Sequence, residues 1–118
     1  MITILTWGQG KRTVYPEVDW VVNCLNLDNP PATLWNLDGR DVELRIYMVW
    51  QLNTFKTRGA WFNRVESTLL DAASKAPSLT IGFYCFGGRH RSVSIAELMK
   101  KIFQKKGYRV AIKHLELQ

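Results

Sequence analysis

The segment YCFGGRHRS, residues 84 to 92, combines a cysteine, two glycines and three basic residues. The spacing Cys-x5-Arg-Ser, from Cys85 to Ser92, is that of cysteine-dependent phosphatases, in which a thiolate attacks phosphorus and the arginine clamps the transferring group. The same residues also fit a passive site that binds phosphate without reacting with it. The sequence therefore raises the question whether Cys85 is a nucleophile or a structural residue of a binding loop.

Read as a binding loop, the segment has the features that an anion needs. Gly87 and Gly88 allow the backbone to turn with its amide groups exposed, and Ser92 suits the N-cap of a following helix. The positive end of that helix would face the same cavity as three basic side chains, those of Arg89, His90 and Arg91. This arrangement predicts a strand-loop-helix cradle for a phosphate group.

Read as a catalytic loop, the segment lacks two usual features. A phosphatase needs a reactive thiolate and a general acid for the leaving oxygen, and a histidine normally precedes its nucleophile, where this chain has Tyr84. No carboxylate stands out as the acid, although Asp28, Asp38 and Asp41 lie in one long loop. We therefore favour a site without catalytic residues, and we keep catalysis by Cys85 and Arg91 as the alternative.

Four stretches rich in β-branched and aromatic residues predict strands. They cover residues 2 to 7, 19 to 27, 79 to 85 and 108 to 117. Helical spacing of apolar residues lies between them, so we expect an α/β fold with a small mixed sheet of about four strands flanked by helices. We expect residues 1 to 118 to form a single domain.

Three helices are predicted from the spacing of apolar residues. The first begins near Asp41, the second follows Gly59 and ends near Pro77, and the third covers residues 92 to 107. Residues 28 to 40 carry two prolines and a glycine, which predicts an irregular loop. A loop of this length is often functional.

Charge and cysteine content narrow the class of protein. Sixteen Lys and Arg against ten Asp and Glu give a net charge of +6, which favours anionic partners such as phosphorylated metabolites or nucleic acid.

Two cysteines, Cys24 and Cys85, lie in or beside apolar stretches, so we expect reduced thiols and a cytoplasmic protein. No apolar stretch approaches the roughly 20 residues of a membrane helix. We expect no membrane partner, no metal and no cofactor.

A second glycine-containing segment, GQGKRT at residues 8 to 13, is not a nucleotide-binding P-loop. A Walker A loop requires Gly-x4-Gly-Lys followed by Ser or Thr. Leu5 stands where the first glycine belongs, and Arg12 stands where the hydroxyl residue should follow Lys11. The sequence therefore excludes this segment as an NTPase motif.

The chain resembles the C-terminal domain of the bacterial RNase adapter protein RapZ. Residues 85 to 93 are similar to that domain's signature Cys-x-Gly-Gly-x-His-Arg-Ser-Val, and Ala96 and Glu97 fit the Ala-Glu start of its helix. Gly107 and Val110 fit its Gly-x-x-Val strand. Residues 113 to 115, Lys-His-Leu, stand where the family has Arg-His-Arg, and Asn23 and Leu25 stand where it usually has Asp and Arg.

This resemblance implies a non-catalytic sensor or adapter domain that binds an amino-sugar phosphate and, in the full protein, a small regulatory RNA. The family's N-terminal kinase-like P-loop domain has no counterpart in these residues. The ligand-binding residues that we expect are Gly87, Gly88, Arg89, His90, Arg91, Ser92, Lys113 and His114. We expect a sugar phosphate or nucleotide-like anion as ligand. An RNA-binding protein without a small ligand is a further alternative. The sequence is also compatible with a homo-oligomer.

Overall fold

The computed structural model describes residues 1 to 117 and consists of a four-stranded sheet with three α-helices. The strands are β1 (Ile2–Gly8), β2 (Trp20–Asn23), β3 (Leu79–Cys85) and β4 (Val110–His114). The helices are α1 (Val42–Thr54), α2 (Lys56–Lys75) and α3 (Arg91–Lys105), and a 3-10 turn covers Ala32–Leu34.

The sheet has the strand order β2-β3-β1-β4, and every neighbouring pair is parallel. The α/β class with four strands and flanking helices is confirmed, but the expected mixed sheet is parallel throughout. The reason is that no two sequential strands are joined by a short hairpin. Each connection is a crossover, through residues 9 to 19, through α1 and α2, or through α3, and crossovers join parallel strands.

The direction of the crossovers explains which face the helices cover. The β2-to-β3 and β3-to-β4 connections run in the same direction along the sheet, so right-handed crossovers place their helices on one face. The β1-to-β2 connection runs the other way and contains no helix. The face opposite the helices is therefore covered only in part, with Trp7 and Val18 lying over Gly82.

The core lies between the sheet and the helices. Alternate residues of the two central strands are fully buried there, with Ile4, Ile81 and Phe83 at 0% exposure. They meet the inward side of α3, whose buried apolar residues are Val93, Ile95, Ala96, Met99 and Phe103. Because α3 packs on the sheet and begins six residues after β3 ends, its first turn lies beside the carboxyl end of β3.

Two predicted boundaries differ from the structure for local reasons. The second strand ends at Asn23 rather than 27, because the Asn23 side chain accepts a hydrogen bond from the Leu25 amide at 2.8 Å and turns the chain. Gly59, expected to precede the second helix, lies inside α2. Its lack of a side chain lets α2 approach the Leu52 carbonyl, which an added Cβ would meet at 2.5 Å.

The last helix and the last strand are also shorter than expected. The helix α3 begins at Arg91 with His90 as its N-cap, so Ser92 lies in the first turn and is not the cap. The strand β4 ends at His114, and the Leu117 amide donates to the His114 carbonyl in a turn. Within residues 1 to 117, the search for a helix long and apolar enough to cross a membrane found none.

Candidate functional site

A cleft of about 210 Å³ opens where β3 meets α3. The carboxyl ends of parallel strands are where ligands bind in open α/β sheets, at the point where connections leave in opposite directions. The cleft lies beyond the carboxyl end of β3, between the β3–α3 loop and the loop of residues 28 to 40. The residues that line the cleft are Asn29, Trp35, Cys85, Phe86, Gly87, Arg89, His90 and Arg91.

The β3–α3 loop, residues 86 to 90, turns its backbone toward this cleft. Gly88 has a φ of +71° and lies so close to β1 that an added Cβ would meet the Gly8 nitrogen at 2.5 Å, so only glycine fits there. Within residues 1 to 117, the amides of Gly87, Arg89 and His90 donate to no protein acceptor. Together with the free amides of the first turn of α3, they place unpaired backbone donors at the positive end of that helix.

Arg91 is the most informative side chain of the cleft. Its guanidinium donates through one terminal nitrogen to the Leu27 carbonyl at 3.1 Å and to the Leu25 carbonyl at 3.4 Å. The residue is only 8% exposed, and its Nε is buried with no hydrogen-bond partner among the described residues. A buried charged donor of this kind is costly unless an acceptor reaches it.

Cys85 lies under the loop and is 2% exposed. Its Sγ accepts a hydrogen bond from the Gly88 amide at 3.3 Å and lies 3.2 Å from the Ser92 hydroxyl. Cys24, which directly follows the neighbouring strand β2, is fully buried. Burial, with the nearby Cys85 as a second cause, raises the pKa of the Cys24 thiol. Both cysteines are free.

His90 joins the β3–α3 loop to the long loop of residues 28 to 40. Its Nε2 lies 2.9 Å from the Leu37 carbonyl and 3.1 Å from the Trp35 carbonyl. Because carbonyl oxygens only accept, Nε2 carries the proton in this arrangement. Gly39 completes the contact, since its amide donates to the Arg89 carbonyl at 2.8 Å. His90 therefore holds one wall of the cleft in place.

Arg89 adds positive charge at the mouth of the cleft. It is exposed and lines the cleft, and within residues 1 to 117 no ion pair involves it. The pKa of Asp38 is lowered mainly by its side-chain hydrogen bond with Arg40 and to a smaller extent by the charge of Arg89. Because Arg40 already neutralises Asp38, the charge of Arg89 is available to a ligand.

Lys113 and His114 do not line the cleft. Lys113 is exposed on β4. The side chain of His114 is 8% exposed, with Nε2 at 2.7 Å from the Glu97 carboxylate and Nδ1 at 2.8 Å from the Thr6 hydroxyl. The structure thus brings the loop residues predicted from the sequence together, and it gives His114 contacts that join β4 to α3 and β1.

Gly88 and Ser92 support the cleft from beneath, since both are buried and neither lines it. Three lining residues were not among those predicted: Asn29, Trp35 and Phe86. Two of them are large and exposed, Trp35 at 58% and Phe86 at 62%. An aromatic residue directly after Cys85, inside a loop otherwise made of small and basic residues, is the signal that could have revealed Phe86.

The described residues of the cleft lining include no carboxylate. Asp28 and Asp38, two carboxylates of the long loop, are instead paired with Arg58 and Arg40. A search of residues 1 to 117 for groups of three or more metal-binding side chains found none. The lining supplies hydrogen-bond donors and positive charge, together with the thiol of Cys85.

Comparison with known proteins identifies relatives over most of the chain. A nucleotide-binding protein of Ruegeria sp. is 36% identical over 115 residues, which are 91% of this chain and 37% of that protein. A nucleotide-binding protein of Xylella fastidiosa is 36% identical over 113 residues, which are 92% of this chain and 39% of that protein. The chain thus spans less than half the length of these relatives.

A family model points in the same direction as these relatives. The model described as the RapZ C-terminal domain matches residues 1–118. The match includes the loop from Cys85 to Ser92 that forms the cleft, together with every strand and helix of the sheet that positions it. The chain belongs to the RapZ C-terminal domain family.

Proposed function

We propose that this protein is a sensor or adapter domain that binds the phosphate group of a small molecule in the cleft between the β3–α3 loop and the long loop. The observation that carries the proposal is the buried Nε of Arg91, which has no protein partner among the described residues. Arg91 clamps the phosphate, the loop amides bind its other oxygens, and Arg89 attracts it from the mouth of the cleft.

The family and the names of its members support a phosphorylated ligand. The relatives from Ruegeria and Xylella are both named nucleotide-binding proteins, and the resemblance to RapZ implies a sugar phosphate. Both ligand classes share the phosphate group that the cleft is suited to bind. The net charge of +6 also fits an RNA partner, which belongs to this proposal as a second role of the same adapter.

A second candidate function, phosphatase activity, is favoured by the surroundings of Cys85. The Gly88 amide and the Ser92 hydroxyl both contact its sulfur, and such contacts can stabilise a thiolate. Against catalysis, no carboxylate among the described residues lines the cleft to serve as general acid, and Nε2 of His90 already contacts the Trp35 and Leu37 carbonyls. Binding without turnover is therefore the function that the geometry supports best.

Substitution of Arg91 tests the binding proposal. We expect Arg91→Ala to abolish the thermal stabilisation of the protein by inorganic phosphate, because a hydrogen bond to a charged group contributes about 1.5 to 3 kcal/mol. Arg91→Lys should recover part of it, since an ammonium group lacks the planar fork of guanidinium. Arg109→Ala is the matched control, because Arg109 is exposed and lies outside the cleft.

The same experiment contains its own check for misfolding. Arg91 also holds the backbone after β2, so the alanine variant must retain the circular dichroism spectrum of the wild type. If the spectrum of Arg91→Ala differs from that of the wild type, Arg91→Lys and Arg89→Ala are measured in its place. Phosphate stabilisation that is equal in the wild type and in both of these variants would refute the cradle.

A further inference from the structure

The outer side of α1 is apolar and exposed to solvent. Val42, Ile46 and Val49 follow this side at positions i, i+4 and i+7, and they are between 37% and 63% exposed. The opposite side of α1 carries the buried residues Leu44 and Met48. A helix at the surface of a domain usually has one apolar stripe, and apolar residues all round are typical of a helix packed on both sides. The outer stripe of α1 therefore indicates a surface that a partner covers.

The outer stripe borders a groove between α1 and α3. Its volume is about 360 Å³, and Ile95 and Leu98 of α3 line it together with the stripe. A second groove of about 300 Å³ adjoins the first, since Val49 and Leu98 line both, and it continues to Phe62 on α2. The two grooves follow most of α1, whose 13 residues make it about 20 Å long. This length suits a helix of about three to four turns.

The spacing of the stripe favours a helical partner over an extended one. Helices pack when rows of side chains three or four residues apart on one helix fit the grooves of another. The helices α1 and α3 present two such rows side by side, so a third helix can lie between them. An extended peptide instead needs a free sheet edge for its backbone hydrogen bonds, and the groove is lined by helices.

The charges at the groove specify the partner further. Arg45 on α1 and Lys101 on α3 line the first groove, and Glu66 on α2 lines the second. Within residues 1 to 117, none of these three side chains takes part in an ion pair. Complementary charges give an interface its specificity and its register. The groove therefore suits a helix that is acidic at one end and basic at the other.

The same charges argue against a second copy of this chain as the partner. In a two-fold dimer one surface meets the same surface of the other copy. Arg45 and Lys101 of both copies would then lie in one apolar interface, where like charges weaken binding. Each copy also carries a net charge of +6, which adds to the repulsion.

We propose that the groove between α1 and α3 binds an amphipathic helix of another protein, with acidic residues over Arg45 and Lys101 and a basic residue over Glu66. Apolar residues of that helix cover the outer stripe of α1. Among the described residues, none lines both this groove and the phosphate-binding cleft. The inference is therefore independent of the proposed phosphate site, and either can fail without the other.

Selection from a peptide library tests the chemistry of the partner. The library displays amphipathic helices about four turns long, with Leu at positions i, i+3, i+4 and i+7 and a random choice of Glu, Lys or Ala beside them. We expect selection on the whole chain to enrich helices with Glu at one end and Lys at the other. A synthetic peptide of the enriched sequence should bind saturably in fluorescence anisotropy. No enrichment, or enrichment of Lys at both ends, would overturn the inference.

Substitution of the stripe shows where the peptide binds. Ile46→Asp places a charge in the apolar interface and should weaken binding of the synthetic peptide at least tenfold. Val14→Asp is the matched control, because it changes the net charge equally at an exposed residue outside the groove. Both variants must keep the circular dichroism spectrum of the wild type, and Val42→Asp is used if Ile46→Asp does not. An equal loss of affinity in the control and the stripe variant would overturn the inference.

Reversal of one charge tests the register. Arg45→Glu should weaken the enriched peptide and tighten a peptide in which Glu and Lys are exchanged, whereas Arg109→Glu, at an exposed residue outside the groove, should affect both peptides equally. If both variants act alike, the acidic residues of the peptide respond only to net charge, and the inference is wrong. Sedimentation velocity adds a last check. A wild-type dimer that Ile46→Asp dissociates would identify a second copy as the occupant and would contradict the proposal.

Discussion

Arg91 and Cys85 are both buried beside the cleft, but their hydrogen bonds differ. Arg91 has a buried nitrogen without a protein partner among the described residues, whereas the sulfur of Cys85 already contacts an amide and a hydroxyl. The contacts of the sulfur fit a side chain that supports the turn of the loop from within. The free nitrogen of the guanidinium fits a side chain that binds an anion.

Substitution of Cys85 distinguishes support from catalysis. We expect Cys85→Ala to bind inorganic phosphate within about tenfold of the wild type, because it removes a small packed group and leaves the Arg91 clamp in place. Neither protein should hydrolyse para-nitrophenyl phosphate above background in a colorimetric assay. Hydrolysis by the wild type that disappears in Cys85→Ser, with phosphocysteine trapped by mass spectrometry, would instead establish a phosphatase.

At the scale of elements, the helix α3 is fixed to the sheet by a buried polar link. Glu97 on α3 accepts a hydrogen bond from His114 on β4 at 2.7 Å and pairs with Lys100 at 3.2 Å. The hydrogen bond from His114 is the largest cause that lowers the pKa of Glu97. The first residue of α3 is Arg91, so this link also helps to fix the position of Arg91 relative to the sheet.

The acid dependence of stability tests this link. The folded-state pKa of Glu97 lies below its unfolded value of about 4.3, so its contribution is present above that pH and disappears as the pH falls through the folded-state pKa. Glu97→Gln should therefore cost about 1 to 2 kcal/mol at pH 7 and much less near pH 3. Urea unfolding at both pH values measures this.

The control for that measurement is Glu43→Gln, because Glu43 is exposed on α1 and accepts no side-chain hydrogen bond among the described residues. It should change the free energy of unfolding by less than about 0.5 kcal/mol at either pH. If Glu97→Gln lowers the free energy of unfolding by the same amount at pH 7 and pH 3, then packing of the side chain, rather than the charge of Glu97, stabilises the contact between α3 and β4.

At the scale of the whole molecule, local patterns in the sequence predicted the elements but not all of their relations. The apolar strands, the three helices and the glycine loop after β3 follow from spacing and turn residues. Strand direction depends on the crossovers, which local patterns do not encode, so the sheet is parallel where a mixed one was expected. The lateral position of β4 likewise directs His114 to Glu97 rather than to the cleft.

The cleft itself depends on contacts between distant parts of the chain. Residues 87 to 92 were predicted as a group because they are adjacent in sequence. Trp35 reaches them only because His90 contacts the carbonyls of the long loop and Gly39 fits against α3. Such contacts between residues 55 and 53 positions apart leave no periodic signal in the sequence, so the second wall of the cleft became visible only in the structure.

Titration of 15N-labelled protein with inorganic phosphate, followed by NMR, tests the central claim most directly. We predict the largest shifts at the Nε–H resonance of Arg91 and at the amides of Gly87, Arg89 and His90, because these donors have no acceptor within residues 1 to 117. Exposed lysines at the end of α3, such as Lys105, should shift little. Shifts centred on those lysines, or a saturating titration that leaves the Arg91 Nε–H unmoved, would contradict the phosphate cradle.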